Sequence, residues 1–536
     1  MKTGSTSSPP GPHPSRSFPY HAELFALVFG AFLGLCVWKF GNPVILDQKI
    51  VTPANGTDFL HDAWPTHWTH WILTPLAIWG FFLAWRGFRA RGSGTVSSKL
   101  LWVLPLAWLG WQAVSASRTV DWDLTGATLW QFAGCVICYF LGTWLLGREK
   151  LTQWLLIGLL AAFAYCLVRA VDQHVFEFPE SSRELTEGQR TGWTNMPAAS
   201  FDELKSEGII ITTNGVDAVN PVIMAKFAKG RVSGTLVYPN ALAQLILLLW
   251  PVSLVFAFGA TRRLKPLVRW AAIAMTLFLG AAAFFWSGSK FGWLIAIGLA
   301  GLALLRMDWP ARLKWAAVVT VVVLGLGVFA VRFHHYFAAG ATSAGARFDY
   351  WRAAVQTTVA HPFFGTGPGT FQRPYALIKS PASEMARLAH NDYLEQFSDS
   401  GIPGGLAYLA WIGAAFVVAI KKFWPGEIVA QASSPAGSGG VPPPERSRAE
   451  GIRSETLRTL AAGTAALQEA RQEPPLFAFA ILLGLTGWFV QGMGEFGLFV
   501  PALAWTAFTL LGCLVGRMQF TEQRTEIPVG HRVASL

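Results

Sequence analysis

The sequence predicts an all-α integral membrane protein with about twelve transmembrane helices. Of its 536 residues, 52% are apolar and only 14% are charged, whereas an average soluble protein has roughly 25% charged residues. Apolar runs of about 17–25 residues, the length that spans a bilayer as a helix, recur along the chain. The 25 tryptophans agree with this class, because tryptophan is enriched where a membrane meets water. A soluble enzyme, a disordered chain and a disulfide scaffold are all disfavoured.

The apolar runs assign the individual helices. The predicted spans are residues 23–40, 69–86, 100–116, 126–146, 151–169, 236–259, 268–286, 291–306, 314–332, 404–420, 475–492 and 497–515. Residues 1–22 are rich in Ser, Pro and Gly and lack the charged-then-apolar order of a signal peptide, so we expect an N-terminal tail. Residues 475–515 hold the last two spans, and residues 516–536 form a C-terminal tail.

The basic residues predict the orientation of these helices. Clusters of Lys and Arg occupy every second connection: Arg86, Arg89, Arg91 and Lys99; Arg148 and Lys150; Arg262, Arg263, Lys265 and Arg269; Arg306, Arg312 and Lys314; Lys421 and Lys422; and Arg517. Cytoplasmic loops carry such an excess, so we expect a multi-pass protein with both termini in the cytoplasm. This pattern accounts for the net charge of +11, and no nucleic-acid partner is expected.

Three long connections divide the chain. The predicted membrane domain, residues 23–422, includes two outer loops at 170–235 and 333–403, and the second precedes the tenth span and is expected to be large and helical. Loops of such length are usually functional or disordered. Residues 423–474 form a cytoplasmic insertion, within which residues 432–445 have the composition of a flexible linker.

Charged groups beside a membrane span are functional candidates, because holding them there is costly. Arg231 and Asn240 flank the start of a span, where they either contact an anion or simply form an interfacial helix start. Lys290, in Ser-Gly-Ser-Lys between two spans, either faces a phosphate or extends its amine to lipid headgroups.

The outer loop 333–403 contains the richest polar sequence. Arg347, Tyr350 and Trp351 are spaced i, i+3 and i+4, which predicts a helix with Arg347 on an aromatic face. Arg352 is a further basic candidate that points to another face of that helix.

A glycine cluster and a histidine motif follow in the same loop. Gly365, Gly367 and Gly369 alternate along the chain, which suits close approach to a ligand and equally suits a tight turn. His390 and Asn391 begin a helix that runs toward the next span. Position alone does not select the functional imidazole among the four histidines of the loop, which are His334, His335, His361 and His390.

Taken in order, these motifs resemble the O-antigen ligase and O-antigen polymerase superfamily over residues 230–420. The resemblance implies a protein of the bacterial inner membrane. It also implies transfer of a glycan from an undecaprenyl-diphosphate carrier to an acceptor hydroxyl on the periplasmic face, without metal or other cofactor. It implies three kinds of acceptor: lipid A core, as in lipopolysaccharide biosynthesis; another repeat unit, as in polysaccharide polymerases; or a protein Ser or Thr, as in protein O-oligosaccharyltransferases. Membrane lipids are the remaining expected partners.

The resemblance also implies roles for the candidate residues. His390, Arg347 and Lys290 correspond to the catalytic positions, although the family has Arg where this chain has Lys290. The predicted contacts to the diphosphate or glycan are Arg231, Asn240, Arg352, Tyr350, Trp351, Gly365, Gly367, Gly369 and Asn391. An imidazole has an ordinary pKa of about 6.5, which suits a general base that deprotonates the acceptor. No acid lies three or four residues from His390, so its partner must come from elsewhere in the sequence.

Two other functions stay open at this level. Asp121 and Asp123 spell D-x-D, a weak signal for a metal-dependent transferase. A polytopic transporter has a similar number of spans, but we find neither repeated halves nor polar breaks at mid-membrane. The Cys135–Cys138 pair lies within an apolar run, which favours buried packing over redox chemistry or metal binding.

Overall fold

The computed structural model describes residues 17–88, 96–206, 208–213, 215–338, 342–381, 383–423 and 476–525. Its helices, in chain order, are α1 Ser17–Lys39, α2 Gly56–His61, α3 Trp68–Phe88, α4 Val96–Ala116, α5 Trp122–Leu141, α6 Glu149–Asp172, α7 Phe178–Arg190, α8 Ala198–Ser206, α9 Pro221–Lys229, α10 Pro239–Ala260, α11 Pro266–Ser287, α12 Lys290–Leu305, α13 Ala311–Ala338, α14 Thr342–Ala360, α15 Gln372–Ile378, α16 Asp392–Phe423, α17 Leu476–Gln491 and α18 Pro501–Thr525. Short 3₁₀ turns lie at Val44–Lys49 and Gly497–Phe499, and π-helical turns follow α5 at Gly142–Leu146 and α6 at Gln173–Glu177.

The helical membrane class is confirmed, but the count of twelve spans is not. Among the described residues, eight helical segments are long and apolar enough to cross a bilayer: Tyr20–Lys39, Trp122–Leu146, Glu149–Arg190, Pro239–Ala260, Pro266–Ser287, Ala311–Ala338, Asp392–Phe423 and Pro501–Met518. The apolar helices α12 and α17 are shorter. Helices α3 and α4 coincide with two further predicted spans.

The core of the helical domain is built around the last helix. Helix α18 packs on α5, α17 on α10, and α16 on α4. Nearly all of the apolar stretch of α18 is buried, whereas α13 has an even more apolar sequence and is largely exposed. A helix that is apolar on every side and uncovered by protein is suited to contact lipid. The two helices that follow the predicted insertion are therefore integral to the core.

Helix α16 is broken at Ser400 and Gly401, where the backbone leaves the helical region. Gly401 has a φ of 70°, and a Cβ atom there would lie 2.3 Å from the carbonyl oxygen of Phe363. The amide of Ile402 donates to the carbonyl of Pro362 at 2.7 Å. The break lets the first half of α16 turn toward the glycine cluster while the second half continues as an apolar helix.

The segment predicted as the first outer loop folds into a small lobe. It contains α7, α8, α9 and an antiparallel hairpin, β1 Ile210–Thr213 and β2 Val216–Val219, with Ile210 opposite Val219. Leu185 and Trp193 form its core together with those two strand residues. The all-α expectation missed this hairpin, whose β-branched Ile-Ile-Thr-Thr run and Gly215 turn are local strand and turn signals.

The second predicted outer loop is mainly helical, since it holds α14, α15 and the start of α16. Residues 424–474 of the predicted insertion lie outside the described part of the chain. The orientation of the helices stays a prediction. A reporter that is active only in the cytoplasm is expected to be active when it is fused near residue 440. A reporter that is active only in the periplasm is expected to be inactive at the same position, and the opposite result would overturn the assignment.

Candidate functional site

Glu495 is the centre of a polar cluster at one end of the helices. It lies in the connection between α17 and α18 and is only 1% exposed. Its Oε1 accepts hydrogen bonds from Arg347 Nη2 and from Asn240 Nδ2, the latter at 2.7 Å, and its Oε2 accepts one from the Tyr238 hydroxyl. His390 Nδ1 lies 3.5 Å from the same Oε2. Glu495 thus joins three segments that are far apart in sequence.

Burial alone would raise the pKa of the Glu495 carboxyl. Its neighbours His390, Arg347 and Tyr238 favour the ionised form more strongly, and they lower this pKa below its ordinary value. The carboxylate is therefore ionised at neutral pH, although it is almost entirely removed from solvent.

Arg231 is held by hydrogen bonds to two helices, the start of α10 and the end of α11. Gly230, with a φ of 57°, ends α9 and turns the chain so that Arg231 can reach α10 and α11. Arg231 Nε donates to the carbonyl of Ser287 at 2.8 Å, and its Nη2 donates to Asn240 Oδ1 at 2.8 Å. Both of these acceptors are neutral, so the charge of Arg231 is hydrogen-bonded without being cancelled.

Lys290 starts α12 directly after the Ser-Gly-Ser turn. Gly288 ends α11 with a φ of 59°, and Ser289 caps α12 by accepting a hydrogen bond from the amide of Gly292 at 3.3 Å. The Nζ of Lys290 lies 4.0 Å from the centre of the Tyr336 ring. The turn therefore places a cation over an aromatic ring of α13.

These three cations share one cavity of about 300 Å³. Its polar wall contains Arg231, Lys290, Arg347, Asn240 and Glu495. Its apolar wall comes largely from α12, α13 and α14, and includes Phe291, Leu294, Phe329, Phe337, Phe348 and Trp351. Three cations and a single carboxylate leave a net positive charge beside an apolar surface. Such a cavity suits an anion that carries a hydrophobic group.

His390 lies beside this cavity in an unusual backbone conformation. Its φ of 51° falls in the left-handed region, which a residue with a side chain occupies at some cost. Tyr350 stacks on its ring with centroids 5.9 Å apart, and Phe496 packs edge-on at 4.8 Å. Strained conformations of this kind cluster at functional sites, where the surroundings fix them.

The residues after His390 fasten the connection that carries Glu495. Asn391 caps α16, because its Oδ1 accepts from the amides of Tyr393 and Leu394. The amide of Asp392 donates to the carbonyl of Gly492 at 2.8 Å, and its carboxylate accepts from the amide of Leu498. The His-Asn-Asp run thus positions an imidazole, starts a helix and fixes the loop opposite it.

Several predicted contacts lie elsewhere. Arg352 is exposed on the side of α14 that faces away from the core, and it is not among the residues that line the cavity. Tyr350 is buried behind His390 rather than in the cavity wall, whereas Trp351 does line the cavity. Asn391 serves as a helix cap. Roles of these residues in binding substrate stay predictions.

The glycine cluster packs against the helical core. Gly365, Gly367 and Gly369 all have positive φ values. The amide of Gly367 donates to the carbonyl of Asp399 at 2.8 Å, and that of Gly369 donates to the Asp399 carboxylate at 2.6 Å. A Cβ atom on Gly367 would lie 2.2 Å from Thr119 Oγ1. In this structure the cluster makes a tight turn that packs on neighbouring helices.

The D-x-D pair has a structural role in this fold. Asp121 caps α5 by accepting from the amides of Asp123 and Leu124, and its other oxygen accepts from Arg373 Nε at 2.7 Å. Burial opposes ionisation of Asp121, but the hydrogen bonds from Arg373 and from the amides of Leu124 and Asp123, together with the charge of Arg373, outweigh it and lower the pKa of the carboxyl. Both oxygens of Asp121 are thus engaged by protein donors.

The residues that the sequence motifs selected correctly as neighbours in this site are Arg231, Asn240, Lys290, Arg347, Trp351 and His390. The motifs did not include Glu495. A signal was present, because Glu495 is the one acid between two apolar runs, in the stretch Gln-Gly-Met-Gly-Glu-Phe-Gly-Leu-Phe at 491–499. The criterion that selected the three basic candidates applies equally to a lone carboxylate beside a span. Its importance depends on long-range packing of α17 and α18, which no local pattern reveals.

Comparison with known proteins supports the resemblance. Residues 275–409 match a protein family described as O-antigen ligase, and no individual curated protein matches the chain. The matched segment contains Lys290, Arg347 and His390, whereas Arg231 and Glu495 lie on either side of it. Residues 275–409 are therefore similar to the O-antigen ligase family, in agreement with the resemblance carried by the sequence motifs.

Proposed function

We propose that the protein transfers a glycan from an undecaprenyl-diphosphate carrier to an acceptor hydroxyl at the outer face of the bacterial inner membrane. The observation that carries the proposal is the cavity in which Arg231, Lys290 and Arg347 meet an apolar wall, with His390 and Glu495 beside them. A lipid diphosphate has both properties that this cavity complements. It is strongly anionic, and it is attached to a long hydrocarbon chain.

The cations supply the main stabilisation in this mechanism. When the bond between the anomeric carbon and the diphosphate oxygen breaks, the electron pair remains on that oxygen. Arg231, Lys290 and Arg347 surround the position where the new negative charge develops, in a site partly shielded from water. They take over the role that a divalent metal ion has in other transferases, so we expect transfer to proceed without a metal.

His390 is the general base of the proposal. Glu495 Oε2 lies on the Nδ1 side of the ring, so the carboxylate favours the tautomer that carries its proton on Nδ1. Nε2 then carries no proton and can take the proton of the hydroxyl group that receives the glycan. The deprotonated oxygen attacks the anomeric carbon as the bond to diphosphate breaks, and His390 retains the proton until the product leaves.

The first test is reconstitution in detergent with a lipid-diphosphate-linked glycan and each class of acceptor. We expect transfer that persists in the presence of a chelator. A chelator-sensitive reaction would refute the metal-free mechanism, and uptake into proteoliposomes without transfer would favour a transporter. Deletion of the gene identifies the acceptor. Unligated lipid-linked polymer indicates a ligase, single-repeat products indicate a polymerase, and loss of glycoprotein bands indicates a protein glycosyltransferase.

The second test concerns the base. His390→Ala should reduce turnover about 10²–10⁴-fold, the usual contribution of a positioned general base, with little change in donor binding. The matched control is His361→Ala, because His361 is an exposed histidine of the same predicted loop. A correctly inserted His390→Ala protein with normal turnover would remove this assignment.

A further inference from the structure

Helix α14 is apolar on two opposite faces. Tyr350, Ala353 and Ala354 on one face are buried against the protein. The opposite face carries Phe348, Arg352, Val355 and Val359, which follow the spacing i, i+4, i+7 and i+11 and so fall on one narrow line along the helix. We call these four residues the outer stripe. The stripe is exposed along its length, and Phe348 and Val359 are 63% and 75% exposed.

The composition of the outer stripe points to its partner. In helices that lie in the interface of a bilayer, apolar side chains enter the acyl region and cations contact the anionic lipids, and the outer stripe contains both kinds of side chain. A stripe that faced only water would be expected to be polar, as the flanking Asp349 and Gln356 are.

The outer stripe is also continuous with a surface suited to lipid. Helix α13 is apolar and largely exposed. Phe337 near its end and Phe348 of the stripe line the same cavity, and Phe337 is half exposed. The apolar surface of α13 therefore passes over the mouth of the cavity onto α14.

From this geometry we propose that α14 lies on the membrane surface, with its outer stripe inserted between the lipid headgroups on the cavity side of the bilayer. Arg352 then contacts lipid phosphate rather than substrate. Arg347, about a third of a turn around the same helix from the stripe, is then held close to the depth of the lipid phosphates. The proposal concerns membrane contact alone and does not depend on glycan transfer.

The five native cysteines are buried, which permits a direct test. Val355→Cys and Val359→Cys, each labelled with an environment-sensitive fluorophore, are reconstituted into phosphatidylcholine–phosphatidylglycerol nanodiscs with and without lipids that carry a nitroxide on the acyl chain. The matched control is Val216→Cys on β2, because Val216 is also an exposed valine, at 66%.

We expect nitroxide quenching at both stripe positions to exceed that at Val216→Cys by about twofold or more, as insertion into the acyl region requires. Quenching no greater than at Val216→Cys would overturn the proposal. Efficient disulfide cross-linking between copies through Val359→Cys would also overturn it, since the stripe would then be an interface between protomers. Because the readout is fluorescence, an inactive enzyme would leave the result unaffected.

Discussion

Replacing Glu495 with glutamine separates the two tasks that this carboxylate performs. The substitution keeps the size of the side chain and one oxygen that can accept from Arg347 Nη2 and Asn240 Nδ2. It replaces Oε2, the oxygen beside His390 Nδ1, by an amide that donates hydrogen bonds. An amide at that position favours the opposite tautomer of the imidazole, with its proton on Nε2. Because Nε2 is then already protonated, it can no longer take the proton of the acceptor hydroxyl.

The expected loss in turnover is about 10²–10⁴-fold, the contribution of the disabled base. Donor binding should be unchanged or tighter, because the substitution removes a negative charge from a site for an anion. The variant should also be less stable. Breaking a buried ion pair costs about 3–5 kcal/mol, and we expect about 2–3 kcal/mol, because the 22% exposure of the Arg347 side chain lets water replace part of the lost interaction.

The assay is single-turnover transfer in detergent with saturating lipid-linked donor, together with a separate measurement of donor affinity. Glu384→Gln is the control, since Glu384 is an exposed glutamate in the segment before His390. A folded Glu495→Gln protein with a normal rate would refute the reasoning, as would a loss confined to donor affinity.

Three further predictions follow from the same contacts. Arg347→Ala should lower the transfer rate about 10²–10³-fold, measured in inserted protein, whereas Arg118→Ala, on an exposed connection, should have the normal rate. Because the pKa of the Glu495 carboxyl is lowered by folding, its contribution to stability is present above the ordinary carboxyl pKa of about 4.3 and is lost as the pH falls further. The difference in thermal midpoint between the native protein and Glu495→Gln should therefore stay level from pH 8 to 5 and shrink below about pH 4.3. Gly367→Ala should lower the thermal midpoint markedly, because its φ is 105° and Thr119 Oγ1 would lie 2.2 Å from the new Cβ. The control Gly345→Ala should have little effect, because no atom lies within 4 Å of a Cβ at that position. Equal effects of the two substitutions would contradict the packing argument.

The fold class was predictable because the bilayer imposes a length and composition on each helix. Apolar runs identified most of the helices, and the break at Gly401 lies within the sequence Gly-Ile-Pro-Gly at 401–404, whose glycines and proline are unfavourable in a helix interior. The hairpin Ile210–Val219 was missed because its two strands, of four residues each, are too short to stand out within a long polar connection.

The basic half of the site was predictable, and its acidic centre was not. Lys290 and Arg347 stand out because positive charge is unusual beside the predicted outer ends of spans. Glu495 follows His390 by 105 positions in the chain, and only the packing of α17 on α10 and of α18 on α5 brings it to the cavity. Local spacing carries no information about such a distant pairing.

The position of Glu495 near the end of the chain has a consequence for biosynthesis. Four residues of the site are synthesised before the predicted insertion: Arg231, Lys290, Arg347 and His390. The Glu495 carboxylate is synthesised later, with the last two helices. Until α17 and α18 have been inserted, three cations share a cavity with no counter-charge, and α5, α10 and α16 lack the helices that cover them. We therefore expect that the nascent protein cannot align His390 until α17 and α18 have been inserted, so that the proposed engagement of a lipid-linked substrate would come at the end of assembly.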